Sequence, residues 1–247
     1  MNILSLFVII PLVMMAVIFC VNGEKKSLIR TIMSIGGFAL LCTSAYLTIQ
    51  FLELRQIDTT SEFLFTESVM WYERFNIHYS VGVDGISVAM LLLSSIVVIT
   101  GVFVSYAMEE KVKEYFLWFL MLSIGVYGFF ISLDLFTMFL FYEVALIPMY
   151  LLIGLWGSGK KEYSAMKLTL MLMGGSAFLM VGIFGIYYNS IPAGGEGTFN
   201  IQEIAANVQA LKAEGGDISW EYIFFPLTFV GFGVLGAKIG RASCRER

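Results

Sequence analysis

Seven apolar segments, each near the length that crosses a lipid bilayer, are the feature of this sequence that most limits its fold. They lie at about 3–21, 29–52, 84–107, 115–132, 134–156, 165–188 and 221–240. A transmembrane helix needs about 20 predominantly apolar residues. Charged residues make up only 14% of the chain, well below the share in soluble domains. The sequence therefore predicts an all-α polytopic membrane protein with about seven transmembrane helices. The first segment lacks the basic residues that precede a cleaved signal peptide, so we expect it to be retained as a span.

The loops between these segments alternate in charge. Lysines and arginines follow the first, third and fifth spans, at Lys25, Lys26, Arg30, Lys111, Lys113, Lys160 and Lys161. The loops 53–83 and 189–220 are long and mainly acidic. Because short loops rich in Lys and Arg stay in the cytoplasm, the pattern predicts an N-terminus on the outer side of the membrane.

Helix-capping residues mark the ends of several elements. Asp84 and Asp134 precede the third and fifth spans, where an aspartate side chain can accept a hydrogen bond from a free backbone N–H. In the loop 189–220, Asn200 with Glu203 three residues later predicts a helix start. The apolar face of that helix comprises Ile201, Ile204, Ala205, Val208 and Leu211. We expect this helix to end at Gly215-Gly216 and to pack as a lid on the outer face.

Other common kinds of site are not indicated. Cys20, Cys42 and Cys244 form no CxxC pair, and His78 is the sole histidine. The sequence therefore predicts neither a disulfide framework nor a metal site in this chain. It has no long basic run, so we do not expect a nucleic-acid partner.

Glu143 is an acid near the middle of the apolar segment 133–156. An acid at the centre of a transmembrane helix costs about 2.5–3.5 kcal/mol, so its presence indicates a role in ion movement or in pairing with another charge. The alternative is a structural polar contact within the helix bundle. Pro148 follows five residues later and predicts a helix break that frees the carbonyl of Val144. A freed carbonyl beside a carboxylate suits a hydrated proton path.

Two lysines are candidate partners for this acid. Lys167 lies in the first turn of the sixth span, where its long side chain could equally extend to the membrane interface. Lys238 lies late in the seventh span, and the alternative is a lysine that merely flanks a helix end. The glycines near it, which suggest close packing or a broken helix, are Gly231, Gly233, Gly236 and Gly240. Desolvation lowers the pKa of a lysine and raises that of an acid, while their attraction opposes both effects. Small changes in distance or hydration can then move a proton between such groups.

Three stretches carry a resemblance to a known family. They are VDGIS at 83–87, FYEVALIPMYLLIGLW at 141–156 and AMKL at 165–168. They resemble subunit M of the proton-pumping NADH–quinone oxidoreductase, respiratory complex I, whose mitochondrial counterpart is chain 4. The resemblance runs from about residue 1 to Gly240. It implies the first half of a 14-helix antiporter-like subunit with two inverted five-helix repeats, and hence an N-terminal fragment.

The resemblance also implies roles and boundaries. Glu143 and Lys238 match the pair of one proton half-channel, and Lys167 matches a further lysine. Residues 1–110 would hold helices 1–3 with the external loop 53–83, and 111–240 an incomplete antiporter-like repeat with the external loop 189–220. Residues 241–247, which interrupt the apolar pattern with three arginines, are expected to be a non-native or truncated tail.

The implied function is proton translocation coupled to electron transfer elsewhere in the complex. The chain would be a non-redox subunit without a cofactor of its own, while other subunits bind NADH, FMN, iron–sulfur clusters and quinone. Its partners would be the other membrane-arm subunits and the lipid bilayer of a bacterial inner membrane, and this chain alone would be inactive. The alternatives are a cation/proton antiporter subunit, a membrane subunit of a related hydrogenase, and a scaffold whose buried charges only fix helix packing.

Overall fold

The computed structural model describes residues 3–57, 63–72, 76–191, 197–213 and 219–235. These residues form eight α-helices and one two-stranded sheet. The helices are α1 (Leu6–Cys20), α2 (Lys26–Ile57), α3 (Gly85–Val104), α4 (Val112–Ile131), α5 (Leu135–Trp156), α6 (Lys161–Asn189), α7 (Ile201–Ala213) and α8 (Glu221–Leu235). The strands are β1 (Leu64–Tyr72) and β2 (Ile77–Val83). Short 3-10 turns precede α1 at Ile3–Ser5 and follow α3 at Ser105–Ala107.

Six of these helices are long and apolar enough to cross a membrane. They are α1 with its preceding turn, α2, α3 with its following turn, α4, α5 and α6. The apolar helix α8 is shorter within the described residues, and it occupies the first part of the seventh predicted span. Inside a bilayer every backbone N–H and C=O must be paired within the chain, so apolar segments of this length fold as helices. The predicted polytopic helical architecture is confirmed.

The loop 53–83 departs from the all-helical prediction. β1 and β2 pair in an antiparallel hairpin, with Val69 opposite Tyr79 and Met70 opposite His78. β2 is mostly buried, whereas the second half of β1 is exposed. The other edge of β2 pairs with the helix bundle, because the carbonyl of Ser80 accepts a hydrogen bond from the N–H of Leu133 at 2.8 Å. The sequence predicted a long acidic loop here and did not predict that it contains a hairpin.

The basic loops lie together at one end of the bundle, called here the basic-loop end. Lys26 Nζ donates to the carbonyl of Glu109 at 2.7 Å, and Lys113 Nζ donates to that of Val21 at 2.8 Å. These lysines bind carbonyls at or beyond the C-terminal ends of helices, where cations are stabilised by the helix dipole. The β-hairpin and α7 lie at the opposite end, called here the hairpin end. The grouping of loops by charge is thus confirmed, while the direction of the bundle relative to the cell stays a prediction.

α6 and α8 are packed against each other at unusually short range. A Cβ atom built on Gly231 of α8 would lie 3.0 Å from the backbone nitrogen of Leu179 in α6. Only glycine fits so close an approach of two backbones. The close packing predicted for this glycine-rich segment is confirmed at Gly231, whereas Gly233 has open space around it. Gly236 and Gly240 lie outside the described residues.

Both aspartate caps are confirmed. Asp84 Oδ1 accepts a hydrogen bond from the N–H of Ser87 at 2.7 Å, and Asp134 Oδ1 accepts one from the N–H of Thr137 at 2.9 Å. Each aspartate pairs one of the free N–H groups that begin a helix. The two caps share the hairpin end of the bundle but differ in burial. Asp84 is partly exposed, whereas Asp134 is fully buried.

The helix predicted in the loop 189–220 is also present, as α7. Asn200 Oδ1 accepts a hydrogen bond from the N–H of Gln202 at 3.0 Å. Glu203 acts through an intermediary: the hydroxyl of Thr198 donates to the Glu203 carboxylate and accepts from the N–H of Asn200 at 3.2 Å. Ile204 is the buried residue of α7, in keeping with the predicted lid. The predicted end at Gly215-Gly216 lies outside the described residues.

Thr198→Val is expected to loosen the first turn of α7. The substitution keeps the size of this 3%-exposed side chain and removes the hydroxyl that links Asn200 to Glu203. Loss of such a cap costs about 1 kcal/mol, which raises amide hydrogen exchange at Gln202 and Glu203 severalfold. Thr169→Val is the matched control, because its hydroxyl donates within its own helix to Ala165. Equal exchange in the two variants would contradict the relay.

Candidate functional site

Glu143 lies in the middle of α5, eight residues after Leu135, or roughly 12 Å along the helix at 1.5 Å per residue. Phe136 and Phe139 precede Glu143 by seven and four residues, so the three side chains lie on one face of α5. Those two rings pack on a buried cluster that includes Leu179 of α6, and Phe232 of α8 packs on the same cluster. Glu143 therefore lies about one turn deeper on the face of α5 that packs on this cluster.

The carboxyl group of Glu143 is incompletely paired. Its Oε1 atom is buried and has no hydrogen-bond partner among the residues that the structure describes. A buried polar atom left unpaired costs about 1–3 kcal/mol, and more when charged. The deep acid predicted from the sequence is thus confirmed in its depth, and it is a group that requires a proton, a donor or a cation.

The side of α5 opposite Glu143 packs closely against α4. A Cβ atom built on Gly125 of α4 would lie 2.6 Å from the Cβ of Ala145 and 2.8 Å from the carbonyl oxygen of Phe141. Ala145 and Phe141 flank Glu143 at two residues' distance on either side and point about 200° away from it around the helix. The contact with α4 therefore sets the rotation of α5 that directs Glu143 away from α4.

The break predicted at Pro148 is wrong. α5 runs without interruption from Leu135 to Trp156, with the buried Pro148 inside it. Pro148 has no N–H, so the carbonyl of Val144 lacks its helical partner. Val144 lines a groove of about 370 Å³ between α5 and the hairpin. The remaining residues of that groove are Trp71, Tyr79, Thr137, Leu140 and Phe141.

Of the two candidate lysines, Lys167 lies within the described residues, and it forms no ion pair with Glu143 there. Lys167 is exposed on α6, on the same outward surface as the exposed Met166 and Leu170. Position along the sequence predicted the height of Lys167 in the bundle but not its direction around α6. Lys238 lies outside the described residues.

A polar cluster at the hairpin end was only partly predicted. His78 Nε2 lies 2.8 Å from Asn76 Oδ1, and His78 Nδ1 lies 3.2 Å from Ser68 Oγ. The carbonyl of His78 accepts a hydrogen bond from the hydroxyl of Thr137 at 3.3 Å. Next to Thr137, the carboxyl of Asp134 is fully buried, and its Oδ2 atom accepts no hydrogen bond from the described residues. The sequence predicted Asp134 as a cap, but nothing in the sequence indicated its burial.

No three His, Cys, Asp or Glu side chains come together as a possible metal site within the described ranges. The thiols of Cys20 and Cys42 are free and exposed on the bundle surface. Cys244 lies outside the described residues. The described site is therefore one of acids, hydroxyls and backbone carbonyls.

Comparisons with known proteins find similar membrane subunits. Residues 132–237 match the family described as NADH:quinone oxidoreductase/Mrp antiporter, transmembrane. The chain is similar to F(420)H(2) dehydrogenase subunit M of Methanosarcina mazei, at 28% identity over 83% of this chain and 40% of the relative. It is similar to NADH-quinone oxidoreductase subunit M of Rhodobacter capsulatus, at 32% identity over 75% of this chain and 36% of the relative.

A solved structure has the same fold. A chain of respiratory complex I from Thermus thermophilus with bound NADH superposes with a TM-score of 0.72, at 19% identity over 95% of this chain and 43% of that chain. The present chain thus spans about two fifths of the length of the proteins that it matches. The antiporter-like fold and the resemblance to subunit M are confirmed.

Proposed function

We propose that the chain is a proton-translocating membrane-arm subunit of an NADH–quinone oxidoreductase, because residues 132–237 match the NADH:quinone oxidoreductase/Mrp antiporter family. In this proposal Glu143 and Lys238 form the proton-carrying pair of one half-channel. The observation that carries it is the buried Oε1 of Glu143, which has no partner in the described part of the chain.

The packing of α5, α6 and α8 supports a meeting of these two residues. Phe139 of α5 and Phe232 of α8 pack on the same buried cluster. Glu143 follows Phe139 by four residues and Lys238 follows Phe232 by six. At 1.5 Å per residue, Glu143 lies about 6 Å beyond the cluster along α5. α8 runs in the same direction from the hairpin end, and in the proposal Lys238 lies at a similar depth.

The energies involved suit electrostatic coupling. Moving one elementary charge against a potential of about 100 mV takes about 2.3 kcal/mol. Placing one unpaired charge at the centre of a bilayer costs about 2.5–3.5 kcal/mol on translocon-based scales. A change in the pairing of Glu143 can therefore supply work of the size that one transport step requires. In the proposal, Lys167 is a further proton-carrying group between the pair and the basic-loop end.

The proposal assigns the redox chemistry to other subunits. NADH, FMN, the iron–sulfur clusters and quinone would be bound there, and electron transfer would change the charge state of the Glu143–Lys238 pair from a distance. The basic-loop end would face the cytoplasm of a bacterial cell and the hairpin end the outer side, since lysine-bearing loops are retained inside.

Lys238→Met tests the proposal in native membranes. We expect inverted membrane vesicles of the variant to lose NADH-driven proton uptake, because methionine keeps the length of the side chain but carries no charge or proton. Lys212→Met is the matched control, since Lys212 lies on α7 in an exposed pair with Glu221, 3.2 Å apart. Proton uptake at the normal ratio to NADH oxidised in Lys238→Met would overturn the proposed pair.

A cation/proton antiporter subunit is the second candidate, because the family match covers Mrp antiporters as well. Affinity purification of the tagged protein separates the two. Recovery of NADH-oxidising activity with the protein supports the first candidate. Recovery of a complex without that activity, whose vesicles exchange Na⁺ for H⁺, supports the second.

A further inference from the structure

The turn at Ser132–Asp134 joins three separate parts of the chain at the hairpin end. The N–H of Leu133 donates to the carbonyl of Ser80 in β2 at 2.8 Å. The N–H of Leu135 donates to the carbonyl of Phe199 at 2.9 Å, and the N–H of Ile201 donates to that of Leu133 at 3.1 Å. The hairpin, the start of α5 and the segment that begins α7 therefore meet at one junction.

Asp134 places a carboxyl group inside this junction. The residue is 0% exposed. Its Oδ1 atom caps α5 through the N–H of Thr137, while its Oδ2 atom is buried without a hydrogen-bond partner among the described residues. An ionised carboxylate needs several donors or water to offset its desolvation. Protonation removes the charge and leaves Oδ1 able to accept the capping bond.

We propose that Asp134 is a proton-binding site at the hairpin end of α5, separate from Glu143, and that its ionisation loosens the junction between the hairpin, α5 and α7. The proposal does not depend on the transport function proposed above. It concerns the folded chain alone and predicts a pH-dependent opening of named backbone hydrogen bonds.

Titratable groups on each neighbouring element have other partners. In the hairpin, the ring of His78 is held by Asn76 and Ser68. In α7, the carboxylate of Glu203 is held by Thr198. Further titratable groups toward this end of the packed elements are Glu67, Tyr72 and Tyr79 in the hairpin, Tyr127 in α4, and Tyr187 and Tyr188 in α6. The lysine of α7, Lys212, is in its last turn and pairs with Glu221 at 3.2 Å.

The electrostatics of Asp134 agree with this geometry. Burial raises the pKa of Asp134 above its usual value. The hydrogen bond from the N–H of Thr137 lowers it in part, as do the nearby hydroxyl of Thr137 and the backbone of His78 and Phe136, which lie outside hydrogen-bond geometry. A folded-state pKa that is raised means that the junction has its full stability at low pH. That stability is lost as the pH rises from the ordinary aspartate value through the raised value.

Hydrogen exchange at the junction tests the proposal in the intact protein. The protection of the amides of Leu133, Leu135 and Ile201, corrected for the intrinsic exchange rate, would be followed from about pH 4, near the ordinary pKa of aspartate, to about pH 8. In the natural protein we expect protection to fall severalfold with rising pH. Each unit of pKa difference between the closed and open junction contributes a tenfold change. Asp134→Asn, which keeps a capping side chain, should keep high protection throughout.

Asp84→Asn is the matched control, because Asp84 caps α3 in the same way but is partly exposed. It should leave the pH dependence at the junction unchanged, and Glu203→Gln should do the same. A difference infrared spectrum offers a second measurement: the natural protein and Asp84→Asn should show a titrating protonated-carboxyl band that Asp134→Asn lacks, while any band of Glu143 is common to all three. Protection that falls equally in Asp134→Asn and the natural protein would overturn the proposal, as would a spectrum of Asp134→Asn that keeps every protonated-carboxyl band of the natural protein.

Discussion

Replacing Glu143 with glutamine is expected to abolish NADH-driven proton uptake by inverted membrane vesicles while the complex still assembles. Glutamine has nearly the same shape but cannot exchange a proton. Any route that bypasses it adds more than about 1.4 kcal/mol to the barrier, so the pumping rate should fall at least about tenfold. Assembly should survive, because the buried Oε1 of Glu143 accepts no hydrogen bond from the described residues and the substitution breaks no such contact.

Two further variants make the result specific. Glu143→Asp keeps a carboxyl at the same height in α5 and should retain part of the proton uptake. Glu162→Gln removes an exposed acid in the first turn of α6 and should have no effect. If Glu143→Gln instead lowers the amount of assembled complex, and each assembled complex pumps normally, then Glu143 is a structural contact and the scaffold alternative is correct.

Much of the membrane fold could be predicted because the bilayer leaves the backbone few choices. An apolar stretch as long as 134–156 has to pair its own N–H and C=O groups, and a helix is the structure that does so within one segment. The caps Asp84 and Asp134 are local as well, since each contacts an N–H three residues later. Local rules of this kind can be applied without knowledge of the rest of the fold.

The hairpin could not be predicted in the same way. The strands that pair Val69 with Tyr79 are joined by residues 73–76, where Asn76, at a φ of 50°, is the one residue type typical of a turn. β2 is buried because it lies on the turn between α4 and α5, where Ser80 binds Leu133. Sheet propensity depends on such packing more than on the strand's own sequence. A contact more than 50 residues away in the chain thus decides the structure of this loop.

The sequence predicted how far along its helix each site residue lies, but not which way its side chain points. The position of Glu143 in its span gave its height in the bilayer, and the structure confirms that height. The face that it occupies is set by Phe139 and by the contact of α4 with α5, which sequence spacing alone does not reveal. Lys167 shows the same limit, since its place in α6 left open whether it points into the bundle or outward, and the structure shows it exposed. The burial of Asp134 likewise depends on two distant segments that cover it.

Gly125→Ala is expected to destabilise the bundle and to impair proton uptake together. The added Cβ would lie 2.8 Å from the carbonyl oxygen of Phe141 and 2.9 Å from the backbone nitrogen of Ala145. Backbone atoms of a packed helix cannot move aside as a side chain can, so α4 and α5 must separate. Overpacking of this kind costs about 1–3 kcal/mol. The displacement also moves the face of α5 that carries Glu143, and positioning errors near 1 Å can cost about a hundredfold in rate.

Gly174→Ala is the matched control for this substitution, because a Cβ at Gly174 of α6 would meet nothing within 4 Å. It should be neutral or stabilising by up to about 1 kcal/mol, the difference in helix propensity between the two residues. Ala145→Gly added to Gly125→Ala removes the Cβ that lies 2.6 Å away but leaves the backbone contacts, so the rescue should be partial. The measurements are the thermal midpoint of the purified complex and the proton uptake of vesicles. If Gly125→Ala behaves like Gly174→Ala in both, the contact between α4 and α5 does not position Glu143.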